Sequence, residues 1–354
     1  MPYASNPFLL GCPAALSPGR ATCRVHRIAA PDTSETEEQD LTMKNSVRAG
    51  LAGLLAFGVL GTVVGIAHHD DDSDGPAPKG PYVAMGDSYT AGPEIPDQKG
   101  EPAGCDRSDR NYPSLVARRL GLKSADFQDV SCTGATIGNL TDVQGTDDGA
   151  NQAQLSALSD ETRLVTLGIG GNDIGFSSMI KQCVKQGVVY YALGGGSRAD
   201  DGDADAPCRE RYVSGGTDEV QEKIKAADEQ LARALGEVRQ RAPEARVYVV
   251  GYPAILPAES SGCGRAMGLA PGDVSYLHEK EQQLNAMLRA RAKTAGVRYV
   301  DTYTPSVGRD ACSTRGERWI EPLIPRAAAA AVHPNERGER GMADAVLKTL
   351  GTGD

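Results

Sequence analysis

After Pro81 the chain alternates short apolar runs with stretches of helical period. Tyr82-Val83-Ala84-Met85 predicts a strand, Tyr112 to Leu120 a helix, and Asp126 to Val130 a second, short strand. Leu164 to Ile169 is an unbroken apolar run of strand length, the pattern of a strand covered on both faces. Asp218 to Arg241 is rich in Ala, Glu, Gln, Lys and Arg, with apolar residues at helical spacing, and predicts a long helix. Arg246 to Val250 predicts a strand, Val274 to Ala295 a second long helix, Val297 to Val300 a last strand, and Asn335 to Leu350 a closing helix. Strands separated by helices pair in parallel through right-handed crossovers. The expected fold class is therefore α/β, a three-layer α/β/α sandwich around a central parallel sheet. Ligands of such sheets sit beyond the carboxyl ends of the strands, so residues that follow the strands are the ones to inspect.

The segment before Pro81 has a different pattern. Ala49 to Ala67 contains 19 residues without a charge, preceded by Lys44 and Arg48 and followed by Asp70, Asp71, Asp72 and Asp74. Positive charge before and negative charge after directs the C-terminal side out of the cytoplasm. Residues 43–67 predict a signal peptide, with Gly65-Ile66-Ala67 as a cleavage site, or a retained signal anchor. Gly and Ala dilute its hydrophobicity, which favours cleavage. Residues 1–42 are polar and aperiodic, and read as an over-extended gene start or a disordered extension. Residues 68–80 read as a charged linker. Residues 81–354 then form one catalytic domain, secreted or, if the 49–67 segment is retained, membrane-anchored with the domain outside. The Gly194 to Pro207 insertion is acidic and turn-rich; it lacks EF-hand spacing and reads as a solvated loop.

Composition narrows the partners. The formal net charge is −10, and no basic stripe is present, so nucleic-acid binding is not expected. Six of the eight cysteines fall inside the domain: Cys105, Cys132, Cys183, Cys208, Cys263 and Cys312. They form no CxxC and no Cys/His cluster, so no metal and no other cofactor is expected. In an exported chain they read as disulfides. Counting does not single out one pairing; pairing in chain order, Cys105–Cys132, Cys183–Cys208 and Cys263–Cys312, is the working expectation.

Four segments carry candidate chemistry. Gly86-Asp87-Ser88 follows the first strand, where Gly lets the backbone turn and present the Ser88 hydroxyl. Gly134 follows the second strand and leaves a bare N–H open to a ligand. Gly168-Ile169-Gly170-Gly171-Asn172 follows the strongest strand and can point an amide into the space the glycines clear. His333-Pro334-Asn335 precedes the last helix. Serine needs a base within hydrogen-bond reach, and histidine suits the task at neutral pH. Of the two domain histidines, His278 lies in a charged helix and reads as solvent-facing, which leaves His333. The N–H groups of Ser88 and Gly134 and the Asn172 amide would form a three-donor oxyanion hole.

The ordered set Ser88, Gly134, Asn172 and His333 resembles the SGNH hydrolases, also called the GDSL lipase/esterase family, and is most similar to its secreted actinomycete (Streptomyces-type) lipases and esterases. Trp319-Ile320-Glu321-Pro322-Leu323-Ile324-Pro325 and a three-disulfide pattern strengthen that resemblance. It implies a flavodoxin-like SGNH hydrolase fold, an ester or lipid substrate, a monomer, and an acyl-serine intermediate. Most family members carry an Asp three residues before the His; here Ala330 stands there. The resemblance therefore implies a Ser88–His333 dyad, with the backbone carbonyl of Ala330 holding the imidazole. Asp301, Asp310 and Glu321 are the alternative carboxylates. Phospholipase or thioesterase activity at the same site, or a non-catalytic binding protein on this scaffold, are the alternative functions.

Overall fold

In the computed structural model, which describes residues 76–195, 205–260 and 262–352, the five expected strands join in one parallel sheet. They are β1 (Tyr82–Gly86), β2 (Phe127–Asp129), β3 (Leu164–Gly168), β4 (Arg246–Val250) and β5 (Arg298–Val300), in the order β2-β1-β3-β4-β5. The expected extension 1–42, the signal or anchor at 43–67, most of the 68–80 linker and most of the 194–207 insertion lie outside the described residues.

The helices that flank the sheet are α1 (Ser88–Ala91), α2 (Tyr112–Arg119), α3 (Phe176–Ala192), α4 (Glu219–Arg241), α5 (Pro271–Thr294) and α6 (Glu336–Thr349). Successive strand residues point to opposite faces. Val83, Met85, Val165, Leu167, Val247 and Val249 pack with α3, α4 and α5 in one core. Tyr82, Ala84, Leu164, Tyr248 and Val250 pack with α2 and α6 in the other. Both faces are covered, which is why these strands read as unbroken apolar runs. The result is the expected three-layer sandwich, with the flavodoxin-like strand order.

Two features depart from expectation. Helix α3 is absent from the predicted elements. Its buried residues Phe176, Met179, Ile180, Cys183 and Gly187 have helical spacing, but exposed Val188, Val189 and Leu193 blur the stripe. His278 is half-buried rather than solvent-facing, and its Nδ1 lies 3.1 Å from the Leu256 carbonyl. The loop after β4 packs onto α5 there, and the neighbouring charged residues Lys280 and Glu281 are buried as well.

The disulfides pair in chain order: Cys105–Cys132, Cys183–Cys208 and Cys263–Cys312. The first joins the segment after α1 to the segment after β2. The third ties the loops that follow β4 and β5.

Candidate active site

β1 and β3 end level, Gly86 opposite Gly168. In this strand order the connections leave in opposite directions on either side of that pair, which opens a crevice at the carboxyl edge. Gly86 has φ +156°, and a Cβ there would lie 2.2 Å from Thr90 Oγ1 and 2.5 Å from the Gly168 carbonyl oxygen. Only glycine fits this turn. The Gln154 side chain grips it: Oε1 accepts from the Gly86 N–H at 2.8 Å and Nε2 donates to the Gly86 carbonyl at 2.9 Å. Asp87 then caps α1, accepting from the Tyr89 N–H at 2.9 Å. Ser88 follows as the first residue of α1, only 6% exposed.

His333 arrives from the loop before α6. Its Nε2 is 2.8 Å from Ser88 Oγ, and its Nδ1 is 2.8 Å from the Ala331 carbonyl oxygen. The acceptor is thus one residue later than the expected Ala330. The Ala330 carbonyl is engaged by the backbone N–H of His333 at 3.2 Å, which closes a turn and leaves the Ala331 carbonyl facing the ring. Val332, inside that turn, has φ +62°, a left-handed conformation that costs a β-branched residue roughly 1–3 kcal/mol. Three contacts hold it: its N–H donates to the Glu321 carbonyl at 3.0 Å, its carbonyl accepts from Tyr89 Oη at 2.6 Å, and its side chain is buried.

None of the alternative carboxylates bonds to His333. Asp301 accepts from Thr304 and Arg289. Asp310 accepts from the Cys312 N–H. Glu321 is buried and accepts from Asn335 Nδ2 at 2.7 Å and from the N–H groups of Arg326 and Ala327 at 2.7 and 3.2 Å. Burial lowers the His333 pKa below 6.5; the Ala331 carbonyl acts the other way, and Lys181 adds a smaller lowering. The imidazole is therefore neutral at pH 7, the state a base requires.

Gly134 lies exposed with φ +80°. Asn172 is half-buried, and its Nδ2 spends one hydrogen on the Ala135 carbonyl at 2.9 Å, leaving the other free. Among the described residues, neither the Ser88 nor the Gly134 N–H donates to a protein acceptor. Asp173 links the two loops by accepting from the Ile137 N–H at 3.1 Å, and burial pushes its pKa to about 6.

A small cleft, with a cavity volume of about 20 Å³, adjoins Ser88 and is walled by Tyr89, Phe176, Tyr252, Ile255 and Leu284, with Glu281 among them. Burial raises the Glu281 carboxyl well above the usual range, and the N–H groups of Ile255 and Leu256, which donate to it, act the other way. The cleft is a mostly apolar receptacle beside the hydrogen-bonded Ser88 and His333, an arrangement suited to acyl transfer.

Sequence reasoning missed Gln154, Tyr89, Tyr252 and Glu281. Tyr252 was within reach, because it stands two residues past the end of β4. Gln154 and Glu281 carried no signal: one opens a single 3-10 turn, Gln154–Ala157, and the other lies in a helix stretch that looked solvated.

The chain matches the family described as "GDSL-like Lipase/Acylhydrolase family" over residues 84–340. It is 40% identical over 272 residues to Lipase 2 of Streptomyces coelicolor, covering 76% of this chain and 85% of that one. An esterase of Streptomyces scabiei is 29% identical over 292 residues, covering 74% and 83%. Among solved structures, phospholipase A1 from Streptomyces albidoflavus NA297 superposes with a TM-score of 0.60 at 26% identity, covering 77% of this chain and 99% of that one. The extracellular lipase of Streptomyces rimosus gives 0.58 at 25% identity, covering 75% and 98%.

Proposed function

The chain belongs to the GDSL-like lipase/acylhydrolase family and is a serine ester hydrolase, and from that premise we propose a secreted lipase/esterase that works through a Ser88–His333 dyad. The observation that carries the dyad is the chain of contacts from Ser88 Oγ to His333 Nε2 and from His333 Nδ1 to the Ala331 carbonyl, each 2.8 Å. With that carbonyl accepting at Nδ1, the ring's proton sits there and Nε2 is free to act as base. Ser88 Oγ attacks the ester carbonyl while Nε2 takes its proton, and the same proton then goes to the leaving alcohol. Water, activated by the same nitrogen, releases the acid and restores Ser88.

The negative oxygen of each tetrahedral intermediate needs donors. The Ser88 and Gly134 N–H groups and the Asn172 amide are the candidates, supported by the lack of protein acceptors for the two N–H groups among the described residues and by the second Nδ2 hydrogen that Asn172 keeps beside its bond to the Ala135 carbonyl. One such donor contributes about 3 kcal/mol to the transition state. The backbone carbonyl at Nδ1 stabilises the imidazolium less than a carboxylate would, so the oxyanion donors carry more of the catalysis.

The charge pattern around residues 49–67 supports export, and so does the similarity to an extracellular lipase. The similarity to a phospholipase A1 supports a second reading, cleavage of a phospholipid acyl ester at the same site.

A fluorophosphonate probe tests the nucleophile. Wild type should be labelled and lose its p-nitrophenyl ester hydrolysis, and Ser88→Ala should take no label. Equal labelling of the two would overturn the assignment. Asn172→Ala should lower kcat by about 10²–10³. A panel of triglycerides and phospholipids then separates the two substrate readings.

A further inference from the structure

Resting on the Ser88–Asn172–His333 reading above, we propose that Tyr252 is a positioning residue that locks the Asn172 loop to the nucleophile turn through Asp87. Neither end of this link is a reacting group; each is the immediate neighbour of one. Asp87 precedes Ser88, and Gly171 precedes Asn172. The Tyr252 hydroxyl donates to Asp87 Oδ2 and accepts from the Gly171 N–H at 2.7 Å. A phenol has a single proton to give, and here it is committed to the carboxylate. Its lone pair satisfies an N–H that β3 has left behind at its end.

Four further observations fit a fixed strut rather than a filler. Asn285 on α5 clamps both backbone groups of Tyr252, accepting from its N–H at 2.8 Å and donating to its carbonyl at 2.9 Å. The ring is 4% exposed and meets Tyr89 edge-on, with centroids 5.1 Å apart. A Cβ at Gly171 would stand 3.2 Å from the phenol oxygen, so the second glycine of Gly170-Gly171-Asn172 admits the hydroxyl. Burial also raises the Tyr252 phenol well above its usual pKa, so it stays a donor across the working range. The Asp87 carboxylate reaches both sides of the crevice, holding the Tyr89 N–H with Oδ1 and Tyr252 with Oδ2. Buried bonds in series polarise one another, so the three groups hold one geometry more firmly than separate pairs would.

The strut predicts a loss in turnover without a loss in substrate affinity, because Asn172 acts on charge that develops only in the transition state. Tyr252→Phe keeps the ring and removes the link. On a soluble p-nitrophenyl ester its kcat should fall about tenfold, with KM within about twofold of wild type. On an Asn172→Ala background the same substitution should cost less than about twofold, since the donor it positions is already gone. Gly171→Ala displaces the phenol without deleting it and should reproduce the kcat loss; it decides the matter by itself should Tyr252→Phe fail to fold. The proposal is overturned if Tyr252→Phe or Gly171→Ala leaves kcat at the wild-type level, or if the full tenfold loss persists on the Asn172→Ala background. Ser88→Ala, run alongside, keeps the two claims apart: turnover by that variant overturns the reading beneath, whereas an inactive Ser88→Ala with an unaffected Tyr252→Phe overturns the strut alone.

Discussion

The proposed base, His333, has a backbone carbonyl rather than a carboxylate at Nδ1, and that arrangement predicts a measurable signature. A carboxylate partner raises an imidazole pKa; here burial lowers it, and a neutral carbonyl offsets that only in part. The active form is the neutral ring, so activity is lost as pH falls through the folded-state pKa. The acid limb of kcat/KM should therefore have its midpoint below about 6.5, followed by a plateau through neutrality. A midpoint above 7 would point either to a carboxylate at Nδ1 or to titration of the buried Asp87 beside Ser88, whose carboxyl burial raises to about 7. The three acidic candidates separate in the same experiment. Asp301→Ala and Asp310→Ala should leave kcat/KM within about threefold, because each caps its own turn. Glu321→Ala should lower both stability and activity, because three donors that shape the His333 loop lose their acceptor, at a cost of about 1–3 kcal/mol. Its pH midpoint should stay in place; a moved midpoint would make Glu321 an electrostatic partner of the ring. Ser88, Gly134, Asn172 and His333 are candidates on sequence alone because each stands past a strand or just before a helix. The identity of the carbonyl could not. It depends on the left-handed backbone at Val332, which is imposed by Tyr89 and Glu321 from far along the chain and leaves no periodic trace.

At the scale of elements, strands and helices were legible wherever one pattern ran unbroken. β1, β3 and β4 are covered on both faces and read as apolar runs; α4 and α6 each bury one stripe and read as helices. α3 failed the same test because valines and a leucine near its end face outward. α5 was legible as a helix but misread in its surroundings: Lys280, 2% exposed, looked like a solvated charge. It is half of a lock between the two long helices. Lys280 Nζ lies 2.6 Å from Asp218 Oδ2, while Asp218 Oδ1 caps α4 by accepting from the Val220 and Gln221 N–H groups at 2.9 and 3.2 Å. Losing an N-cap costs about 1 kcal/mol. Removing one partner of a buried pair costs about 3–5 kcal/mol, and Lys280 would keep only the exposed Glu279 at 3.2 Å and the Gln283 amide oxygen at 3.0 Å. Asp218→Ala should therefore destabilise the domain by several-fold more than a cap loss, as read by urea unfolding. Asp218→Ala combined with Lys280→Met should recover much of the deficit, since the stranded ammonium is gone. A single-variant loss of only about 1 kcal/mol would mean that water and the contact Lys280 already makes with Glu279 suffice for its charge.

Across the described residues, Asp87, Asp273, Asp310, Glu281, Glu321 and Glu339 are buried acids. Burial raises the carboxyls of Asp87 to about 7, Asp173 to about 6 and Asp273 to about 6, and it raises Asp129, Glu281 and Glu339 as well. A carboxyl with a folded-state pKa above its unfolded value binds more protons when folded. The stability it lends is full below the unfolded value near 4 and fades as pH rises through the folded value. Two sets of groups act oppositely. His333, lowered by burial, favours the folded state as pH rises. Asp218, Asp301 and Glu336 have lowered pKa values, so the stability they lend is present above about 4 and lost in stronger acid. The raised acids dominate between pH 5 and neutrality, and self-repulsion of the acidic surface adds to them. The thermal midpoint should accordingly be several degrees higher near pH 5 than near pH 8, with unfolding setting in again below about 4. Glu339→Gln isolates one contributor away from the crevice: Glu339 is fully buried, and its Oε2 accepts from the Tyr112 N–H at 2.7 Å, a bond that the amide oxygen can keep. That variant should flatten the fall in thermal midpoint between pH 5 and 8 while leaving its value at pH 5 close to wild type. A midpoint that instead climbs toward pH 8 in both proteins would mean that these carboxyls ionise inside the fold at no cost, and that water reaches them where the packing leaves it no room.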